Sequence, residues 1–212
     1  MASRSVEDLL REEYFDLLPA ITRVTEHLAT EIRYHTLPIA NSLGRHERLV
    51  VSSRIKECGS ALEALRRRQE GKTFDQQWST AYSLTSLRDL AGVRVLGFPQ
   101  ARLKEVDGLL RKQFPAWESD PVRDEDDNIL AHKYSGYCSA ASARIRAEYQ
   151  VVSMLTGLFW EVEHSAIYKP SPNLKGIARD LGMQQRSGEV LRALRAFEEE
   201  FEGFVLRGEV AE

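Results

Sequence analysis

Leu10, Tyr14, Leu17, Ile21, Val24 and Leu28 recur at spacings of four and three, which draws one apolar stripe along a helical surface. Ser5 followed by Asp8 has the spacing of a capping box and marks the start. Pro19 interrupts the stripe, so the pattern predicts two helices or one kinked helix: residues 5–18, then from near Pro19 to near Tyr34. Leu49–Ile55 (LVVSSRI) reads as a strand. Ser60 with Glu63 repeats the capping spacing and predicts a helix through about Arg68. Residues 75–86 read as helical. Gly92–Phe98 (GVRVLGF) alternates and is rich in valine, the signature of a strand. Arg102–Phe114 is an amphipathic helix, and Asp120–Asn128 is a turn-rich acidic loop. His132–Ile145 reads as a Gly-centred loop and then a strand-like run, and Glu148–Met154 as another strand. Thr156–Tyr168 is a helix ended by Pro170 and Pro172. A last helix, Gly188 to about Phe204, carries Val190, Leu194, Phe197, Phe201 and Phe204 on one stripe. Helices, then strands alternating with helices, then helices again predict an α+β fold with a central mixed sheet flanked by helices.

Composition adds limits. The 212 residues suit a single domain: N-terminal helices over 1–44, a core over 45–170 and a helical extension over 171–212. A net charge of -3 gives no global attraction to nucleic acid or anionic membrane. Cys58 and Cys138 are far apart and match no metal-ligand spacing, so reduced thiols and a cytoplasmic location are expected. No apolar run of signal-peptide or membrane-spanning length occurs. The acids from Asp124 to Asp127 lack the spaced Gly and terminal Glu of a calcium loop and read as a solvated loop. Arg66–Arg68 suits a helix C-terminus, or contact with phosphate or RNA.

Four segments carry candidate chemistry. Arg54-Ile55-Lys56 puts two cations either side of one strand residue, where they share a face and can grip a polyphosphate. Asp89, in Leu87–Val95 (LRDLAGVRV), stands just before an apolar strand, where a carboxylate can face a cleft and meet a hard cation. Lys133–Ser139 (KYSGYCS) offers Tyr137 as a flat surface for a base. Glu148–Lys169 places Glu148 and Gln150 on a strand that feeds a helix containing Glu163 and His164. Each has an ordinary structural reading taken alone: a solvated edge, a turn cap, a packed tyrosine, a helix-end histidine.

Together these segments resemble the synthetase domain of RelA/SpoT proteins, above all the stand-alone small alarmone synthetases, over roughly residues 45–170. They are similar in turn to the family's RxK, D-I-x-G-x-R-V, K-x-N-G-Y-x-S and E-x-Q-x-R-T segments, the last followed by a helix with E-H and Y-K, matched here by Glu163, His164, Tyr168 and Lys169. The resemblance implies a nucleotidyltransferase-like fold with N- and C-terminal helices. It also implies transfer of the β,γ-pyrophosphate of ATP to the 3′-hydroxyl of GDP or GTP, making (p)ppGpp. Arg54 and Lys56 would bind ATP, and Asp89 would hold Mg²⁺. Glu148 would position or deprotonate the hydroxyl, or add a metal ligand. Tyr137, Lys133 and Gln150 would meet the acceptor nucleotide. The chain departs from the pattern at Ser135, Ala140, Ala141, Val152 and Ser153, and around Phe159 and Trp160. These departures keep two alternatives open: a toxin-type relative acting on an adenine nucleotide or the 3′ end of tRNA, with an antitoxin partner, and a non-catalytic nucleotide-binding protein. The apolar stripes of the flanking helices suit a homo-oligomer or packing on the chain's own sheet. No His-Asp-rich hydrolase segment is present, so the expected activity is synthesis only.

Overall fold

A computed structural model describes residues 4–68, 83–124, 127–138, 144–163, 177 and 181–209. The N-terminal stripe forms one helix, α1 (Val6–Asn41), and every one of its six apolar positions is buried. The Ser5 hydroxyl accepts the Asp8 N–H at 3.1 Å and the Asp8 carboxylate accepts the Ser5 N–H at 3.2 Å, so the predicted capping box forms. The break expected at Pro19 does not occur. Pro19 lies on the exposed side, where water can serve the carbonyl that loses its N–H partner, while Leu17 and Ile21 stay anchored in the core.

Strand β1 (Arg48–Ile55) follows, then α2 (Cys58–Arg68). Because α2 starts at Cys58, Ser60 lies inside its first turn, and the predicted cap at Ser60 is not its N-terminus. Arg66 pairs with Glu7 on α1, and Arg68 donates to the Ser86 carbonyl at 2.8 Å, so this basic end ties α2 to its neighbours. Of the helix expected over 75–86, only a 3₁₀ turn, Leu84–Ser86, lies in the described part, its Leu84 N–H donating to Glu13 at 3.1 Å. The remaining elements are β2 (Ala91–Phe98), α3 (Gln100–Gln113), β3 (Glu118–Ser119), β4 (Val122–Arg123), β5 (Ile129–Tyr137), β6 (Arg146–Ser153), α4 (Met154–Glu163) and α5 (Met183–Glu209).

The sheet has the order β1-β2-β6-β5-β3, with β4 also on β5. The central pair β2/β6 is parallel, and β1 and β5 flank it antiparallel, so the sheet is mixed as expected. Two readings change here. The segment Lys133–Tyr137 belongs to a strand, not to a Gly-centred loop, because both of its edges are paired, to β6 and to β3. Gly136 is required by the close approach of Trp117, since a Cβ there would meet the indole at 2.6 Å. The acidic loop, in turn, contains the short strand β4, and Asp124 pairs with Arg195 at 2.8 Å rather than facing bulk water.

Alternation splits the sheet into two faces. Val93, Val95, Tyr134, Tyr149 and Val151 point to the side covered by α1 and α3 and form the main core. Tyr134 and Tyr149 stack at 4.8 Å, and the Tyr134 hydroxyl donates to Asp107 on α3 at 2.7 Å. Among the described residues the opposite face is covered at one end, by α4, over a small apolar cluster of Leu96, Ala131 and Val152 with Met154 and Trp160 against it. Gly157 lets α4 come this close, because a Cβ there would lie 2.4 Å from Leu96 Cδ2. Helix α5 closes the end of the molecule. Its Glu198 accepts the Ser153 hydroxyl, and Glu202 accepts the Ala101 N–H at the start of α3 at 2.9 Å. Both cysteines are free thiols, and burial pushes the Cys138 thiol up to about 11. No helix among the described residues is long and apolar enough to cross a membrane.

Candidate active site

The uncovered face of the sheet is where the polar positions of four strands meet. Register makes two rows across it: Arg54, Gly92, Glu148 and Ser135, then Ser52, Arg94, Gln150 and Lys133. Gly92 has no side chain, so the space between Arg54 and Glu148 stays open, and a Cβ there would meet the Arg54 carbonyl at 3.5 Å. The result is a cleft of about 240 Å³ lined by Arg54, Asp89, Arg94, Glu148, Gln150 and Glu161, with Ser52, Ser53, Gly92 and Val93.

Glu148 occupies the middle of the cleft on a central strand. Burial raises its carboxyl above the usual range; the Lys133 ammonium at 3.9 Å and a hydrogen bond from Gln150 at 2.7 Å offset part of this, and the nearby Asp89 carboxylate adds to it. A carboxyl with a raised pKa is a stronger base than an ordinary one, which suits it to accept a proton. Lys133 is half-buried. Burial works against its charge, but Asp120 at 2.8 Å, Glu148 and Asp89 outweigh this and hold its pKa up.

Asp89 lies in the turn before β2, where the chain enters the sheet, and its side chain is partly open to the cleft. Its partner is Lys56, which differs from the expected arrangement. The strand ends at Ile55, so Lys56 no longer alternates with Arg54. Arg54 is exposed on the cleft wall, whereas Lys56 is 5% exposed and pairs with Asp89. The two cations therefore do not form one clamp in this state.

Tyr137 ends β5 with its ring half exposed, and the Arg146 guanidinium lies 5.6 Å from the ring centroid. Arg146 is fixed by Glu118 at 3.0 Å. This aromatic surface stands in the next row along the strands, two residues beyond Ser135 and opposite Arg146, rather than in the cleft wall itself. Glu163 accepts the Ser187 hydroxyl and so ties α4 to α5. His164, Tyr168, Lys169, Ala140 and Ala141 lie outside the described residues.

Arg54, Asp89, Glu148 and Gln150, all singled out in the sequence, line one cleft, together with Arg94, Glu161 and Ser52, which were not. Arg94 is the lone cation in a valine-rich strand, at the alternate position opposite Gln150, and that pattern was the available signal. Burial lowers its pKa, and its ion pair to Glu161 is long, at 3.4 Å. Glu161 and Ser52 had no local signal, because only packing of α4 and pairing of β1 place them here.

The donor set fits a hard divalent cation. Asp89 is close enough to Glu148 for its charge to raise the Glu148 pKa, and the position on Asp89 already stabilises a positive charge, that of Lys56. Among the described residues no group of three or more His, Cys, Asp or Glu side chains gathers around one point. A cation would thus draw its remaining ligands from water and substrate oxygens, as magnesium commonly does.

This architecture is an α+β fold with a mixed central sheet flanked by helices. In particular, the chain has the fold of the small alarmone synthetases. The crystal structure of small alarmone synthetase 1 from Bacillus subtilis superposes with a TM-score of 0.65 at 17% identity, covering 92% of this chain and 99% of that one. The same enzyme bound to its product pppGpp gives a TM-score of 0.62 at 17% identity, covering 91% and 98%. A GTP pyrophosphokinase family protein from Streptococcus pneumoniae gives 0.59 at 16% identity, covering 94% and 99%. No family model matches the sequence, and no curated protein matches it.

Proposed function

We propose that this protein transfers the β,γ-pyrophosphate of ATP to the 3′-hydroxyl of a guanine nucleotide, GDP or GTP, yielding (p)ppGpp and AMP. The observation that carries this reading is the convergence of Arg54, Asp89, Glu148 and Gln150, from two separate strands and a turn, on one cleft of the sheet face. The shared fold supports it.

Arg54 places a guanidinium on the cleft wall, and Arg94 adds a second, for the triphosphate oxygens. Mg²⁺, held by Asp89 with Glu148 beside it, would neutralise charge on the phosphates when bound. Glu148 takes the proton of the 3′-hydroxyl as that oxygen bonds to the β-phosphorus. The bridge between the α- and β-phosphates breaks, and AMP leaves with the bridging oxygen. Gln150 orients Glu148 through its 2.7 Å hydrogen bond. Lys133 supplies positive charge beside Glu148 for acceptor phosphates, and the free side of Tyr137 offers a surface for the acceptor base.

The test is incubation with labelled ATP and, separately, GDP, GTP, adenine nucleotides and tRNA. Label entering GDP or GTP is the expected result. Label entering an adenine nucleotide or tRNA instead would assign the same chemistry to another acceptor. No transfer to any of them would leave a binding protein on this fold.

A further inference from the structure

Lys56 is held where a lysine is costly. Its N–H donates to the Leu90 carbonyl at 3.0 Å, and its carbonyl accepts the Tyr14 hydroxyl at 2.9 Å. The backbone is thus pinned between α1 and the turn that carries Asp89. Its ammonium is buried behind the cleft and pairs with Asp89, whose carboxylate does line the cleft. A buried ammonium needs a partner, because loss of its hydration is repaid only by a close opposite charge. Asp89 shares the cleft with Glu148, a second carboxylate, whose pKa the Asp89 charge raises. Without Lys56, Asp89 would lose its contacting cation while Lys133 stays 3.9 Å from Glu148, and the bared carboxylate would favour a free divalent cation.

We propose that Lys56 is the resident cation of Asp89 in the unloaded protein and that it yields Asp89 to a divalent metal only when a triphosphate arrives to take its ammonium. This rests on the reading that Asp89 holds the metal, and goes beyond it: metal and nucleoside triphosphate load as one unit, and metal alone is refused. Lys56 and a metal compete for the same carboxylate. A triphosphate relieves that competition by offering the ammonium an alternative anion within the same site. The coupling is reciprocal, so metal-free triphosphate also binds poorly, since it must draw Lys56 away from an Asp89 left uncompensated.

The experiment is Mn²⁺ binding followed by water-proton relaxation, first with the protein alone and then with a non-hydrolysable ATP analogue. Lys56→Met should bind Mn²⁺ in the absence of nucleotide at least about tenfold more tightly than wild type, the loss of one contacting charge. Lys56→Arg, which keeps a cation there, should stay near wild type. Adding Asp89→Asn to Lys56→Met should abolish the gain, which places the metal. If wild type forms a ternary complex with Mn²⁺ and the analogue while Lys56→Met, still melting cooperatively, binds Mn²⁺ alone no better than wild type, the resident-cation role is wrong although the metal site stands. If wild type forms no ternary complex, the metal reading fails and the exchange with it.

Discussion

Glu148 is a carboxylate whose burial conflicts with its charge, and the conflict makes two opposite predictions for one substitution. Glu148→Gln should lower turnover by roughly 10²–10⁴-fold, the usual contribution of a positioned base. Asp89→Asn should be of similar severity, and both variants should keep the fold. Stability should move the other way for Glu148→Gln. A raised folded pKa means that the native state holds a proton more firmly than the unfolded chain does, so the wild type loses stability as pH rises through that window. The glutamine has no such loss. Its Tm relative to wild type should therefore rise as pH climbs above 4.5, the ordinary carboxyl value. Thermal melts across that range check it, and a gap that shrinks with pH would contradict the burial argument. At the acceptor end, Tyr137→Ala should raise the acceptor KM by an amount equivalent to about 1–3 kcal/mol, while Tyr137→Phe keeps it and the KM for ATP stays unchanged in both. Residue identities at this scale were well legible. Side-chain placement was less so: Lys56 was read from strand alternation as a partner of Arg54, but the strand stops one residue earlier and the lysine turns inward to Asp89.

Elements were legible where periodicity was long and misread where a single residue was weighed too heavily. The stripe of α1 survives Pro19 because burial along more than thirty residues outweighs one lost hydrogen bond on the solvent side. Gly136 suggested a loop, yet it serves a strand by leaving room for Trp117. Val152, where the resembling family has an arginine, is fully buried with Leu96 and Ala131 beneath α4, and Trp160 packs on that cluster from the helix. The departures at Val152 and Trp160 are thus one apolar contact between strand and helix, something visible only once α4 is laid over β6. Gly157 sets how closely that contact can form. Gly157→Ala should push α4 off Leu96, costing about 1–3 kcal/mol, and should tighten ATP binding because Glu161 leaves the cleft wall with the helix and releases Arg94. A denaturation curve with a nucleotide titration reads both effects, and unchanged stability would mean that α4 does not rest on this glycine.

At the scale of the molecule, function follows from a sheet with unequal faces. One face carries Val93, Val95, Tyr149 and Val151 under α1 and α3, and is rigid because it is packed. The other carries Arg54, Arg94, Glu148, Gln150 and Lys133, which a packed helix would strip of water and leave unsatisfied, and among the described residues it forms a cleft. The α+β class and the mixed sheet were readable from the order of elements. The unequal faces followed from alternation in β2 and β6, whereas the cover supplied by α5 through Glu198 and Glu202 depended on contacts 45 and 101 residues apart in sequence, beyond the reach of periodicity. The account stands or falls on which bond of ATP the open face breaks. Phosphorus NMR of a reaction containing the protein, ATP, Mg²⁺ and GDP reads this directly. The account predicts AMP appearing in step with a 3′-pyrophosphorylated guanine nucleotide and lost in Glu148→Gln. Formation of ADP and orthophosphate, or no consumption of ATP with any acceptor, would contradict it.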